Sequence, residues 1–372
     1  MQNKKRTACI LFVLAVGLCF FSSSTGSLAL AYSSPGNTYG LTTEEELEKA
    51  FEAEIEDYWK NYGEGGAFAG VDDIEIRYMT FVRPDEKGAL VIVSGRTESY
   101  IKYKELIYDL GKQGFSLYIY DHRGQGFSGR MAENPHMGHV WDFDHYVEDL
   151  KTFYDTVVTS TQHDKIFLLA HSMGGAVATL YIEEYSDDFD AAVLSSPMHE
   201  PSAGLLSNKL ACAGVKVTSR IRDFFIWLFG WEPRYVVGKG NYKAVPFDRN
   251  RLTHSRVRYK KYRELYEGNP MVQLGGPTNH WVSCACDGAR EARKNAAQIT
   301  IPVLVLQAEK DTAVTPKGQN EFCRNLKASG KSACEGGNPF IVKGAYHELF
   351  IEKDEYRIPA ITTMLDFIYS NP

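Results

Sequence analysis

A serine that could act as a nucleophile lies between an apolar strand and a helix. Ser172 follows the run Lys165–Ala170, and a helix is predicted over Gly174–Tyr185. In a nucleophile elbow, a tight turn lifts the hydroxyl above the sheet, and small residues two positions before and after it relieve the crowding. Those positions hold Ala170, where Gly is usual, and Gly174. The pattern predicts a nucleophilic Ser172, with a buried turn serine as the alternative.

Two later segments supply the partners that such a serine needs, since its hydroxyl requires a base and the base requires an orienting acid. Asp311 comes just after a fully apolar predicted strand, with Glu309 as the second candidate for the acid. His347 follows the last short strand, in a loop that Gly344 allows to bend. The chain order of serine, aspartate and histidine predicts acyl transfer, with Asp311 as the acid and His347 as the base.

The segments around these residues alternate between strands and helices. Strands are predicted over residues 74–81, 89–94, 115–120, 165–170, 191–195, 303–306 and 340–342. Helices are predicted over residues 44–60, 100–111, 142–158, 174–185, 316–326 and 354–369. This order predicts an α/β fold in which a mostly parallel central sheet is covered by helices on both faces.

The alternation of strands and helices is interrupted once. Residues 198–300 do not follow it, and we interpret them as a helical cap that is inserted after one strand, over the carboxyl edge of the sheet. The predicted core comprises residues 67–197 and 301–372, and a tail with an acidic helix covers residues 32–66.

A Gly-rich loop offers a second chemistry. Gly124–Gly129 satisfies the G-x-G-x-x-G pattern after a strand, as in dinucleotide-binding folds. Asn134 and Pro135 soon follow, so no helix opens at the glycines to receive a pyrophosphate. We predict a tight loop beside the active site and no cofactor. The pair Cys284 and Cys286 lacks the second pair of ligands that a structural zinc ion needs, so we expect no metal.

The N-terminus predicts export. Residues 1–31 have a basic start, an apolar stretch of 14 residues from Ala8 to Phe21, and the small-residue triplet that ends at Ala31. This is the pattern of a cleaved signal peptide, because a membrane-spanning helix needs about 20 apolar residues. We expect cleavage after Ala31 and a mature protein that is periplasmic or secreted, with an uncleaved membrane anchor as the alternative.

The charge and the cysteines of the remaining chain bear on its partners and its compartment. The formal net charge is −6 for the full chain and −9 without residues 1–31, which gives no electrostatic reason to expect nucleic acid. An oxidising compartment favours disulfide bonds. We predict a bond between Cys323 and Cys334, while Cys212 could pair with either Cys284 or Cys286.

Together these motifs resemble the lysophospholipase and monoacylglycerol lipase branch of the α/β-hydrolase superfamily, and most closely bacterial lysophospholipases. The resemblance rests on Ser94–Tyr100, Asp121–Arg130, Ala170–Gly175, Gln307–Asp311 and Gly344–Leu349. It implies an α/β-hydrolase fold in which Ser172 is the nucleophile, Asp311 the acid and His347 the base. It also implies an oxyanion hole formed by the backbone N–H groups of Met173 and Arg96, although related lipases commonly have His-Gly just before the latter, where this chain has Ser-Gly.

The resemblance further implies a serine carboxylic-ester hydrolase that releases fatty acid from lysophospholipid. A monoacylglycerol lipase, an acyltransferase and a proline-type aminopeptidase are alternatives on the same triad. The residues expected to bind the acyl chain are the apolar cap residues Phe224, Phe225, Trp227, Leu228 and Trp281. The same apolar run could instead make transient contact with a membrane surface, or simply pack the cap on the core. Arg96, Arg123 and Arg130 are candidates to meet a lipid phosphate.

Overall fold

The computed structural model describes residues 36–202, 208–229, 231–328, 330 and 333–371. The predicted signal peptide lies outside these residues. The strands are β1 (Glu64–Ala69), β2 (Glu75–Phe81), β3 (Ala89–Val93), β4 (Ser116–Tyr120), β5 (Ile166–His171), β6 (Ala191–Ser195), β7 (Val303–Ala308) and β8 (Phe340–Val342). The helices are α1 (Glu44–Ala50), α2 (Glu56–Tyr62), α3 (Lys104–Lys112), α4 (Asp144–Thr156), α5 (Met173–Glu184), α6 (Asn208–Phe229), α7 (Arg256–Gly268), α8 (Asn279–Lys294), α9 (Pro316–Ala328) and α10 (Asp354–Ser370). Within the described ranges, no helix is both long enough and apolar enough to cross a membrane.

The strands form one eight-stranded sheet in the order β1-β2-β4-β3-β5-β6-β7-β8. β1 pairs with β2 and β2 with β4 in the antiparallel sense, and the other neighbours are parallel. β3 and β6 are buried along their whole length, as expected for parallel strands that are covered on both faces. The predicted α/β fold class is confirmed.

Two groups of helices cover the two faces of the sheet. On one face, Leu106 of α3 and Leu365 of α10 pack against strand residues such as Leu90. On the other face, Phe153 of α4 and Val177 of α5 join a second apolar cluster. Because the carboxyl ends of parallel strands share one edge, the loops that follow β3, β5, β7 and β8 meet there. These loops carry the residues predicted to do chemistry.

Three helices lie between β6 and β7, within the segment predicted as a cap. α8 packs on α5 and α9 of the core, and α6 packs on α8. α7 is fixed to the core, because Arg258 forms ion pairs with Glu105 of α3 and with Asp354 of α10.

Two disulfide bonds are present among the described residues. The predicted Cys323–Cys334 bond is confirmed. Of the two alternatives for Cys212, the structure has the bond to Cys286, which joins α6 to α8, and Cys284 is a free thiol.

The N-terminal stretch is attached to the core ahead of the sheet. The N–H and the hydroxyl of Thr42 both donate to Asp109 Oδ1, at 3.0 and 2.7 Å, and Arg357 Nη2 donates to the other carboxylate oxygen at 2.7 Å. β1 begins at Glu64, so the sheet starts before the predicted core boundary at residue 67. This strand escaped prediction because it begins with a Gly-rich run, which sequence patterns associate with loops.

Candidate active site

Ser172 lies on a strained turn between β5 and α5. Its backbone has φ 53° and ψ −115°, which is unusual for a residue with a side chain. A Cβ atom at Gly174 would lie 2.3 Å from the carbonyl oxygen of Val93, and one at Gly175 would lie 2.6 Å from Pro197. The glycines therefore allow the start of α5 to approach β3 and the loop after β6 closely enough for the turn to form.

The hydroxyl of Ser172 belongs to a continuous hydrogen-bonded chain of three side chains. Its Oγ lies 2.8 Å from His347 Nε2, and His347 Nδ1 lies 2.6 Å from Asp311 Oδ2. The other carboxylate oxygen of Asp311 accepts the N–H groups of Ala313 and Val314, at 2.7 and 3.1 Å. These bonds fix the carboxylate toward the imidazole, and the imidazole toward the hydroxyl.

The second candidate for the acid, Glu309, has a different partner. Its Oε2 accepts the N–H of Gly344 at 2.8 Å, in the loop that precedes the histidine. The structure thus brings Asp311 to His347 and uses Glu309 to hold the histidine loop.

The backbone N–H groups of Met173 and Arg96 are the predicted oxyanion donors. Among the described residues, neither donates to a backbone or side-chain acceptor outside its own helix. Met173 is the first residue of α5, where an N–H has no helical partner and is free to bind an anion. Arg96 lies in the loop after β3, and the next residue, Thr97, has a positive φ of 64°.

The Gly-rich loop holds this oxyanion loop in place. Gln125 Nε2 donates to the carbonyl oxygens of Gly95 and Glu98, at 2.8 and 3.0 Å, and its Oε1 accepts the N–H of Thr97 at 3.2 Å. The segment is a turn and the next helix, α4, starts only at Asp144. The predicted tight loop is confirmed, and it acts on the site through Gln125.

The side chain of Arg96 lies between the core and the cap segment. Its Nη2 donates to the carbonyl oxygen of Gly275 at 2.9 Å, and its guanidinium lies 4.9 Å from the ring of Trp281. Trp281 is buried and its Nε1 donates to the hydroxyl of Tyr146 at 3.0 Å. Burial lowers the pKa of Arg96 to about 10, so the side chain remains a cation at neutral pH. No carboxylate pairs with it among the described residues.

The other two arginines proposed for a lipid phosphate are engaged elsewhere. Arg123 is fully buried and bonds both oxygens of Asp149 at 2.6 Å, so it is a structural ion pair and the expectation for it is wrong. Arg130 donates to main-chain carbonyl oxygens, including those of Gly126 and Pro135, and so braces its own loop.

The predicted acyl-chain residues are divided between two environments. Trp281 lies against the oxyanion loop, whereas Phe224 and Leu228 on α6 are 54% and 48% exposed. Phe225 stacks on Phe229 and Trp231. The side chain of Trp227 lies outside the described residues. The structure therefore does not gather these residues into one slot.

Sequence reasoning missed a buried group of charged residues at this site. Glu98, Lys102, His171 and Glu348 contact one another, and each lies within or beside a motif named above. The signal in the sequence that could have indicated this group is the position of His171, directly before the nucleophile, and of Glu348, directly after the base.

Comparisons with known proteins identify the family of this chain. The family described as "Serine aminopeptidase, S33" matches residues 84–354. Lysophospholipase L2 of Escherichia coli (strain K12) is 39% identical over 318 residues, which cover 84% of this chain and 89% of that protein. Monoacylglycerol lipase of Mycolicibacterium smegmatis is 25% identical over 292 residues, which cover 78% of this chain and 91% of that protein.

A similar fold is found in the crystal structure of Paleococcus ferrophilus monoacylglycerol lipase. The TM-score is 0.60 at 23% identity, and the match covers 80% of this chain and 99% of that one. The resemblance inferred from the motifs is confirmed. The chain belongs to the serine α/β-hydrolase family, in the branch of carboxylic-ester hydrolases that contains the lysophospholipases and monoacylglycerol lipases.

Proposed function

We propose that this protein hydrolyses the acyl ester of lysophospholipids through an acyl-enzyme on Ser172. The observation that carries the proposal is the hydrogen-bonded chain from Ser172 through His347 to Asp311. The similarity to lysophospholipase L2 supports a lipid ester as the substrate. The similarity to monoacylglycerol lipases makes a neutral glyceride the second candidate.

In the proposed reaction, His347 takes the proton of Ser172 as the oxygen attacks the ester carbonyl carbon. The backbone N–H groups of Met173 and Arg96 stabilise the oxyanion, and one such donor typically contributes about 10²–10³-fold to the rate. The C–O bond to the head group breaks, and the imidazolium gives its proton to the leaving alcohol. Water, deprotonated by the same histidine, then releases the fatty acid and restores Ser172.

The cation that favours a phosphate-bearing substrate is Arg96. Its side chain extends from a residue of the oxyanion loop, and a lysophospholipid carries its phosphate a few bonds away from the reacting ester. A charged hydrogen bond to phosphate is worth about 1.5–3 kcal/mol. We therefore expect Arg96→Met to lower kcat/KM for lysophosphatidylcholine by about 10–100-fold and to change turnover of monoacylglycerol little.

The measurement is fatty-acid release from lysophosphatidylcholine, monoacylglycerol and a short-chain ester, with Ser172→Ala as the blank. Arg256→Met is the control, because this cap arginine is exposed and its contacts are an ion pair with Asp248 and the ring of Phe247, both remote from the oxyanion loop in the sequence. An equal loss of kcat/KM on all three substrates would instead mean that Arg96 maintains the shape of the oxyanion loop and does not bind phosphate. Wild-type preference for the glyceride would favour a monoacylglycerol lipase, and cleavage of prolyl peptides alone would favour the aminopeptidase.

We further propose that α6 contacts the lipid surface from which the substrate is taken. The helix carries exposed apolar side chains spaced by seven, four, three and four residues, which places them on one face. They are Leu210, Val217, Ile221, Phe224 and Leu228. Lys209 and Arg220 are exposed on the same helix and can meet lipid phosphates.

Replacing Phe224 and Leu228 with serine is expected to weaken binding to phosphatidylcholine vesicles by about tenfold or more, because each buried apolar side chain is worth about 1.5–3 kcal/mol. Vesicle co-sedimentation measures this, and hydrolysis of a soluble short-chain ester should be retained. Val82→Ser is the control: this exposed residue follows β2, whose end lies at the opposite, amino edge of the parallel strands. Unchanged binding in the double variant would contradict the proposal.

We propose that the mature protein begins at Tyr32 and acts outside the cytoplasm. The two disulfide bonds support this location, because such bonds persist in oxidising compartments. Mass spectrometry of the exported protein is expected to find Tyr32 as its first residue, and a chain that keeps residues 1–31 would contradict the proposal.

A further inference from the structure

Four ionisable side chains form a buried cluster beside the catalytic residues. They are Glu98, Lys102, His171 and Glu348, and none of these side chains is more than 10% exposed. Each lies in or beside a different segment of the active site. Glu98 closes the oxyanion loop, Lys102 lies just before α3, His171 precedes the nucleophile, and Glu348 follows the base.

Lys102 is at the centre of the cluster. Its Nζ bonds Glu98 Oε1 and lies 2.8 Å from Glu348 Oε1. Burial lowers the pKa of Lys102, but the two carboxylates outweigh this effect and hold it well above its usual value. In return, burial raises the pKa of Glu348, while Lys102 and His171 hold it well below its usual range. These shifts make the lysine a cation and Glu348 an anion at neutral pH.

His171 is the remaining member of the cluster. Its Nε2 lies 3.3 Å from Glu348 Oε2, and its Nδ1 lies 3.2 Å from the carbonyl oxygen of Ser195. Burial lowers the pKa of His171, but Glu348 and Glu98 raise it above its ordinary value. Both ring nitrogens thus face oxygen atoms, and the nearby carboxylates favour the protonated imidazole.

The cluster connects the three segments that catalysis needs. Glu98 Oε2 accepts the N–H of Gly95 at 2.5 Å, which bends the oxyanion loop around the carboxylate. The ring of His171 lies 4.8 Å from the ring of His347, centroid to centroid. Glu348 adjoins His347 in the chain, so its bond to Lys102 ties the histidine loop to the helix that follows the oxyanion loop.

Two simpler explanations fit less well. Stability alone does not require such a cluster, because buried ion pairs are often replaced by apolar residues without loss. A metal site is suggested by the ligand atoms of Glu98, His171 and Glu348, which lie within 4.8 Å of one another. However, the ammonium group of Lys102 already contacts both carboxylates and acts as the cation there.

We propose that Lys102 and Glu348 are positioning residues: their ion pair holds the oxyanion loop and the histidine loop at a fixed separation and balances the charge near His347. The inference rests on the proposed roles of Ser172 and His347. It predicts that neither residue touches substrate, so loss of the pair lowers the reactivity of Ser172 rather than the affinity for lipid.

The charge balance gives the pair a distinct pH signature. The groups that face the base are Ser172, Asp311, His171 and Glu348. Those that act on the lysine are Glu98, Glu348, His171, Tyr262 and Tyr266, while the hydroxyl of Tyr103 donates to Glu98. Removing the ammonium leaves one uncompensated negative charge, which favours the protonated form of the base. The acid limb of the pH–rate profile should therefore move to higher pH. We expect a shift of about 1 pH unit for the loss of one charge this close to the base.

The test is the rate at which a fluorophosphonate inactivates the full mature protein, followed by intact mass. Ser172 Oγ forms the bond to phosphorus, fluoride leaves, and His347 takes the proton, so the rate reports the activation of Ser172 whatever the natural substrate is. Lys102→Met should lower this rate by about 10²-fold, as small misplacements of catalytic groups do, and should shift its acid limb upward. Lys104→Met is the matched control, because Lys104 pairs with Glu56 away from the cluster.

Glu348→Gln is the second variant, because it is nearly isosteric and removes only the charge. If the two residues act through one ion pair, the double variant should lose little more than either single variant. The proposal would be overturned if the losses of inactivation rate in the two single variants multiply in the double variant. It would also be overturned if the acid limb of the Lys102→Met pH profile lies at the same pH as in the wild type. A wild-type protein that reacts with the fluorophosphonate but does not hydrolyse lysophospholipid would instead contradict the proposed function alone.

Discussion

Exchange of Ser172 for alanine is expected to lower kcat for acyl esters by about 10⁴–10⁶-fold, which is the loss seen when a triad nucleophile is removed. The Oγ atom of Ser172 forms the ester bond of the acyl-enzyme. No other described residue occupies this position on the turn between β5 and α5. The residual rate should come from the oxyanion donors and from substrate binding. Fatty-acid release from lysophosphatidylcholine measures the loss.

Lipid binding distinguishes a lost nucleophile from a damaged fold. The alanine variant should bind a non-hydrolysable ether analogue of the substrate with wild-type affinity, since the hydroxyl is small and the turn is held by glycines. His347→Ala is expected to slow acylation in the same way while binding survives. Acyl-ester turnover that persists in Ser172→Ala would rule out the esterase mechanism, and parallel loss of binding would indicate misfolding.

Asp311→Asn is expected to lower kcat by about 10⁴-fold, because an amide at this position favours the wrong tautomer of the catalytic histidine. The carboxylate accepts the Nδ1–H of His347 at 2.6 Å and is itself fixed by two backbone N–H groups. The variant should keep its thermal stability and its affinity for the ether analogue. Steady-state kinetics on lysophosphatidylcholine would measure the effect as a loss of kcat with little change in KM.

Glu309→Gln provides the matched control for the acid. This side chain lies two positions away and accepts the N–H of Gly344 rather than a ring nitrogen of the histidine. Its amide still offers an oxygen to that N–H, so we expect kcat to fall by no more than about two- to threefold. A larger loss for Glu309→Gln than for Asp311→Asn would assign the acid to Glu309.

Local sequence was sufficient to predict a structural feature where a single segment of the chain determines its geometry. The strand before Ser172, the small residues around it and the helix after it specify the elbow almost without help from the rest of the chain. The apolar strands β3 and β6 were also evident, because strands that are buried on both faces read as continuous apolar runs. The Cys323–Cys334 bond joins cysteines only 11 residues apart, which a short loop brings together.

Features that depend on distant partners were not predictable in this way. Whether an arginine meets a ligand or a carboxylate depends on which residue the fold places beside it, and Arg123 meets Asp149. Lys102 likewise has no local signal in the sequence, because its two partners come from the oxyanion loop and from the far C-terminal part of the chain. β1 is defined by pairing with β2 rather than by its own composition.

The Cys212–Cys286 bond has a consequence for the molecule after proteolytic cleavage. It closes a covalent ring over a sequence separation of 74 residues, and the whole of α7 lies inside that ring. A single peptide cleavage anywhere within the ring opens it into a linear branch but releases no fragment. A nicked molecule therefore keeps α6, α8 and the catalytic core in one covalent unit.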